Sequence, residues 1–268
     1  KAAGNGGLFI QGEMIMDGLT RREILAGASA LAISGAAMPA LAQQQAGIYR
    51  FKVGDIEVVS ISDGSRRGKL SASPTKSASF EQFQDALAAG SLPRDEIATN
   101  FNTLAVKNGK RLFVIDTGNG LNSASNGTGQ AGPGLVAAGF DPKDVEAVII
   151  SHFHGDHIGG LITPERAQAF PNAEVRLPLV EFNYWMDDVN MNAAPEGSGL
   201  RNGHMNVRRV FGAIPGKFVS KFEWGKEVAP GITSIGTPGH TPGHTSFRIS
   251  SGNSNLIVQA DVVSGIGS

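Results

Sequence analysis

Four side chains able to bind a metal fall within six positions: His152, His154, Asp156 and His157, in the run Ser151-His152-Phe153-His154-Gly155-Asp156-His157-Ile158-Gly159-Gly160. Imidazole nitrogens with a carboxylate suit Zn, Fe, Mn or Ni, and the chain has no thiolate to favour a softer metal. Of six His in the chain, three sit here, which argues against a strand end that merely happens to be polar. A regular helix could not bring all four groups to one point, since only residues three or four apart share a face. A chain leaving a strand into a Gly-containing turn can. The apolar run Val145-Glu146-Ala147-Val148-Ile149-Ile150 leads straight into the cluster and reads as that buried strand.

The elements on either side are mostly hairpins. Tyr49–Val53 and Ile56–Ile61 flank Gly54-Asp55, and Ser62-Asp63-Gly64 closes the second strand. Residues 65–78 are basic and Ser-rich and read as a loop able to lie over the site. Phe80, Phe83 and Leu87 recur at helical spacing in a short helix over Phe80–Ala88. Asn102–Val106 and Leu112–Ile115 flank the turn pair Asn108-Gly109, and Asp116-Thr117-Gly118 follows. Leu135–Phe140 reads as a helix ending near Gly139. Glu181-Phe182-Asn183-Tyr184-Trp185-Met186 is the most aromatic stretch; aromatics of this kind are more often core than the wall of a substrate pocket. Residues 187–204 look loop-like, with His204 an isolated surface or polar-core His and not a ligand. A second His-bearing stretch, Gly236-Thr237-Pro238-Gly239-His240-Thr241-Pro242-Gly243-His244-Thr245, precedes a hairpin around Gly252-Asn253 that ends in Gln259-Ala260-Asp261.

His-x-His-x-Asp-His followed by Gly-Gly, together with Thr-Pro-Gly-His, resembles the metallo-β-lactamase superfamily over roughly residues 47–268. The resemblance implies an α/β fold: an αββα sandwich with a metal site at the edge of its two sheets, here with the last strand and helix elements missing. It implies that His152, His154 and His240 hold one metal, that Asp156 and His157 hold a second, and that Asp261 bridges the two. Asp116 would lie beneath the site and orient the ligand loop. His244 carries over as a supporting His rather than a ligand, with the reverse pairing as the alternative. The family pattern needs one more His on the second metal, and none follows His244, so the second site is expected to be incomplete.

The cofactors implied are two divalent ions, Zn foremost, with Fe, Mn or Co as alternatives. Such ions lower the pKa of a bound water toward neutrality and polarise the attacked carbonyl or phosphorus oxygen, so no Ser or Cys nucleophile is needed. Asp156 would bind metal and pass a proton to the leaving group. The expected activity is hydrolysis of an ester, lactone or phosphotriester, nearest to the lactone- and organophosphate-hydrolysing branch. The competing readings are a mononuclear iron dioxygenase of the same superfamily and an inactive metal-binding fragment.

Length and composition set the remaining bounds. The 268 residues suffice for one large domain with a full core. A net charge of −1 offers nothing to nucleic acid, so the expected partner is a small-molecule substrate, with a homodimer left open. With no Cys, disulfides and Cys-ligated metals are excluded. The chain starts with Lys, and residues 1–13 read as an upstream extension. Within 14–42, Arg21-Arg22 precedes a mildly apolar Ala- and Gly-rich run ending in Ala40-Leu41-Ala42. That pattern resembles a twin-arginine export signal, which places the mature domain, 43–268, in the periplasm or outside the cell with no stable membrane insertion once the signal is removed.

Overall fold

The structure is a computed structural model, and it describes residues 46–73 and 78–262. The expected upstream extension and export signal lie outside the described residues. Strands β1 (Ile48–Val53) and β2 (Ile56–Lys69) form an antiparallel hairpin about Gly54-Asp55. β3 (Glu96–Asn108) and β4 (Arg111–Ile115) form the next. Asn108 lies opposite Arg111, so this turn is Gly109-Lys110, one residue beyond the expected pair; Gly109 supplies the positive φ of +61° that a tight hairpin turn requires. From β4 onward the pairing becomes parallel, through β5 (Val145–Ile149), β6 (Glu174–Pro178) and β7 (Val219–Phe222), completing a seven-stranded sheet in chain order. The second sheet is antiparallel, ordered β11-β10-β9-β8, from β8 (Glu227–Ala229), β9 (Ile232–Gly236), β10 (Thr245–Ser251) and β11 (Ser254–Val258).

Side chains alternate across a strand, so strands β1 to β5 of the large sheet each feed two cores. Val58, Val106, Phe113, Ile115, Ala147 and Ile149 pack against Ile232, Phe247 and Ile249 of the second sheet. Val59, Ile61, Val114, Val145 and Val148 face the helices. This two-sided burial explains why 145–150 is an unbroken apolar run. The helices are α1 (Phe80–Ala89), α2 (Ala131–Ala137), the single turn α3 (Gly155–Ile158), α4 (Leu179–Met186), α5 (Asp188–Ala193) and α6 (Gly199–Phe211). α2, α4 and α6 supply Leu135, Trp185, Val207, Val210 and Phe211 to the helix-side core, and among the described residues no helix enters the core between the sheets. The mixed α/β sandwich is thus the one expected. No described helix is long and apolar enough to cross a membrane.

Three local expectations need correction. Residues 65–69 are not loop: β2 continues to Lys69, paired with β3 as far as Glu96, after a register shift between Ser62 and Gly64. This two-stranded ribbon carries no apolar alternation because it is solvated, and its ladder is supplemented by an Arg67–Glu96 ion pair of 3.1 Å. Residues 187–204 are largely helical. Asp187 Oδ1 accepts from Val189 N and Ser198 Oγ from Arg201 N, each capping a helix start, while Gly199 and Gly203 hide the periodicity of the buried His204, Val207, Val210 and Phe211. A Cβ at Gly203 would sit 2.9 Å from the Trp185 ring, so α4 and α6 approach closely only because that residue is Gly. Finally, α2 begins four residues earlier than its apolar pattern suggests, because Asp63 Oδ1 accepts from Ala131 N at 2.8 Å, a cap supplied from far away in the chain.

Candidate metal centre

The expected ligand residues gather at the mouth between the two sheets. β5 ends at Ile149, and the next turn carries His152 and His154 before α3 lifts Asp156 and His157. The loop between β9 and β10 brings His240, and the turn after β11 brings Asp261. His152 Nε2 lies 3.2 Å from His154 Nδ1, and His240 Nε2 lies 2.8 Å from the same atom. A second group forms from His152, His157 and Asp261. Asp156 Oδ2 adjoins it, 3.4 Å from His157 Nε2. Asp261 stands between the groups, with Oδ2 3.4 Å from His240 Nε2 and Oδ1 3.5 Å from His157 Nε2.

Supporting hydrogen bonds decide which ring nitrogens face the centre. Asp116 follows β4 with a φ of +57°, and its Oδ1 accepts from Ser151 N at 2.8 Å. Its Oδ2 accepts from Ser151 Oγ at 2.7 Å and faces His157 Nδ1 at 2.9 Å. The carboxylate accepts the Nδ1 proton, so His157 turns Nε2 to the site. Ser151 Oγ, its proton given to Asp116, accepts from His152 Nδ1 at 3.1 Å, so His152 also presents Nε2. His244 differs: Nδ1 meets Thr237 Oγ1 at 2.8 Å, and Nε2 accepts from Asp261 N at 3.1 Å. Both its nitrogens are engaged, and it fixes the backbone of Asp261. His204 is fully buried, not at the surface, and its Nδ1 donates to Trp185 O at 2.9 Å at the end of α4.

The electrostatics fit a cation. Burial, then the neighbouring imidazoles, hold His152 well below the ordinary His range; burial, then His240, lower His154. Both shifts favour the neutral imidazole, the form that binds a metal. For His157 burial is the largest influence and lowers its pKa. Asp116, Asp156 and Asp261 together outweigh it, so His157 is raised well above the usual value. The carboxylates thus favour positive charge at this point, whether a proton or a metal. Asp156 and Asp261 stay below the carboxylate range, because His157 more than offsets the upward push of burial. Tetrahedral Zn–N bonds of about 2.0–2.1 Å would set ligand nitrogens about 3.3 Å apart; the 3.2 and 2.8 Å separations approach that with a small opening. The donor set fits a divalent metal.

Two buried carboxylates escaped the sequence reading. Asp63, fully buried, accepts from Asn119 N and Nδ2 as well as Ala131 N, and anchors the segment after Asp116. Glu181, read only as part of an aromatic stretch, is fully buried at the start of α4 and touches both ligand loops. The one local signal for it is a charge inside an apolar run. Trp185 from the same stretch packs in the core, its ring centroid 6.1 Å from that of His154. Beside Asp156 a polar cleft of about 430 Å³ opens, walled by Arg66, Phe101, Asn119, Asn206 and Arg209.

Gly159 and Gly160 let the chain after His157 cross the 117–119 segment at backbone contact. A Cβ at Gly160 would lie 2.1 Å from Thr117 O. Gly160→Ala is therefore expected to destabilise by about 1–3 kcal/mol or more, since the obstructing atom is backbone. A thermal melt indistinguishable from that of the parent chain would contradict this.

Comparison with known proteins agrees with this geometry. The family model described as the metallo-beta-lactamase superfamily matches residues 100–266, and the chain belongs to that superfamily. An N-acyl homoserine lactonase of Bacillus cereus is 28% identical over 124 residues, 46% of this chain and 40% of the relative. The N-acyl homoserine lactonase AttM of Agrobacterium fabrum (strain C58 / ATCC 33970) is 31% identical over 170 residues, 54% of this chain and 57% of the relative. The matched stretches thus span about two-fifths to three-fifths of those relatives. Among solved structures, AidC, a dizinc quorum-quenching lactonase in complex with a product N-hexanoyl-L-homoserine, superposes with a TM-score of 0.71 at 27% identity, covering 79% of this chain and 73% of its own. The hydrolase AbOPH of the beta lactamase superfamily gives 0.72 at 25% identity, with 82% and 76% covered.

Proposed function

We propose that this protein is a metal-dependent hydrolase of lactones, with His152, His154 and His240 holding one divalent ion, Asp156 and His157 a second, and Asp261 between them. The observation that carries this reading is the pair of adjacent donor groups joined by Asp261, whose two oxygens face opposite groups at 3.4 and 3.5 Å. The lactonase names among the relatives select the substrate class. When bound, two such ions acidify water and polarise a carbonyl oxygen. The chain's own residues do the rest. His157 is aligned through Nδ1 by Asp116, and the backbone of Asp261 is held by His244. Asp156, a carboxylate at the cleft wall, accepts a proton from the attacking water and returns it to the ring oxygen as the acyl C–O bond breaks. One water is consumed and one hydroxy acid formed.

The test is acid release by the zinc-loaded chain, followed in a pH-stat with N-hexanoyl-homoserine lactone, a phosphotriester and a thioester in parallel. Turnover of the lactone above the other two is expected. Oxygen uptake with a persulfide by the iron-loaded chain, and no lactone hydrolysis, would replace this reading with the dioxygenase.

A further inference from the structure

The two ligand loops come from opposite sheets, and among the described residues one side chain binds both. Glu181 has no solvent exposure and accepts four hydrogen bonds. Oε1 takes Phe153 N at 3.0 Å, the peptide between His152 and His154, and Trp185 Nε1 at 2.7 Å. Oε2 takes Thr241 Oγ1 at 2.9 Å and Gly243 N at 2.7 Å, on the loop that carries His240. Each carboxylate oxygen thus serves one ligand loop. The second loop lies directly on the start of α4: a Cβ at Gly243 would fall 2.1 Å from Glu181 N, so only Gly permits this seat. Its consequence is visible one residue beyond Phe153 and one before Thr241, where His154 Nδ1 and His240 Nε2 are 2.8 Å apart.

We propose that Glu181 is the positioning residue of the metal centre, setting the distance between the His152–His154 turn and the His240 loop before any cation binds. The proposal rests on the ligand assignment above. A carboxylate is the group this place requires, because it is acceptor-only and offers lone pairs to four donors at once. An amide of the same shape has one oxygen, and its NH₂ would face either Phe153 N and Trp185 Nε1 or Gly243 N, N–H groups to which it offers no acceptor. Outer partners of ligand residues commonly affect metal affinity by roughly 10–100-fold when removed.

The experiment compares Glu181→Gln with Leu112→Ala in the metal-free full chain. Leu112 is buried at the far end of β4 from the ligand turn and touches none of the donors, so its truncation controls for lost stability alone. Zinc affinity is read by chelator competition, and geometry by the visible absorption of the cobalt form. Glu181→Gln is expected to weaken zinc by roughly 10–100-fold and to alter the cobalt spectrum. Leu112→Ala, with an equal or larger fall in Tm, should leave both unchanged. Parental affinity and spectrum in Glu181→Gln, or the same loss in Leu112→Ala, would overturn the proposal while leaving the ligand assignment standing. If Glu181→Gln does not fold, Thr241→Val decides: it removes one bond to Oε2, and an unchanged spectrum and affinity would overturn the proposal. If cobalt binding is indifferent to His152→Ala and His240→Ala, the ligand assignment falls and the role of Glu181 with it.

Discussion

His240→Ala is expected to abolish tight metal binding at the three-histidine group, whereas His244→Ala, four residues on, weakens it only in part. The two side chains share one loop, yet their nitrogens are used differently. His240 Nε2 faces His154 Nδ1 and Asp261 Oδ2, and among the described residues it has no hydrogen-bond partner outside the ligand set. His244 has both nitrogens committed, one to Thr237 and one to the amide of Asp261. Zinc sites hold their ion with about 10–16 kcal/mol, so loss of one of three protein ligands, roughly a third of that, lowers affinity about a hundred- to ten-thousandfold. Loss of His244 leaves all proposed donors present and frees only the Asp261 backbone, for a fall of roughly 10–100-fold. Elemental analysis after dialysis against a graded chelator series distinguishes the two. Equal loss from both variants would mean that His244 is itself a ligand.

Asp116→Ala is expected to be the most destabilising single change at the centre. Its carboxylate accepts from Ser151 N, Ser151 Oγ and His157 Nδ1, all in the buried turn. Removing one member of a buried charged pair costs about 3–5 kcal/mol, and two further donors lose their acceptor. For a domain of this size that corresponds to a fall in Tm of roughly 10 °C or more. The change also has a pH signature in the metal-free chain. His157 is raised in the folded protein, so its contribution is complete below the unfolded His value of about 6.5 and is lost as pH rises through the raised folded value. Above the unfolded His value the lowered His152, His154 and His244 carry no proton in either state, so urea midpoints measured with EDTA from pH 7.5 to pH 9 should fall with rising pH in the parent chain and do so much less in Asp116→Ala. Parallel pH curves would show that Asp116 is not the partner that raises His157.

Much of this centre was legible because each donor sits at the end of an apolar strand or in a Gly-rich turn, where hydrophobic period and ligand chemistry both speak locally. His152 to His157 after β5, and Asp261 after β11, are of that kind. Glu181 and Asp63 were not legible, since each acts by accepting hydrogen bonds from segments distant in sequence, and nothing beside them in the chain announces the donors. The cap that Asp63 gives α2 moved that helix's start for the same reason. α6 was hidden by its glycines, whose packing role is visible only once Trp185 is seen against Gly203. The ribbon beyond Gly64 was missed because a strand solvated on both faces has no apolar alternation to read.

That ribbon separates two demands that most folds impose on the same residues. Beyond the register shift, β2 and β3 pair only with each other, and Arg66 and Phe101 reach from them to the cleft beside Asp156. Neither belongs to either core. Substitutions at solvated positions of this kind usually change stability by no more than about 0.5 kcal/mol. One wall of the cleft can therefore drift under selection without endangering the fold, while the donors, held to one another and to the turns at the sheet mouth, cannot. Descendants of this chain would diversify in what they accept long before they diversified in how they react.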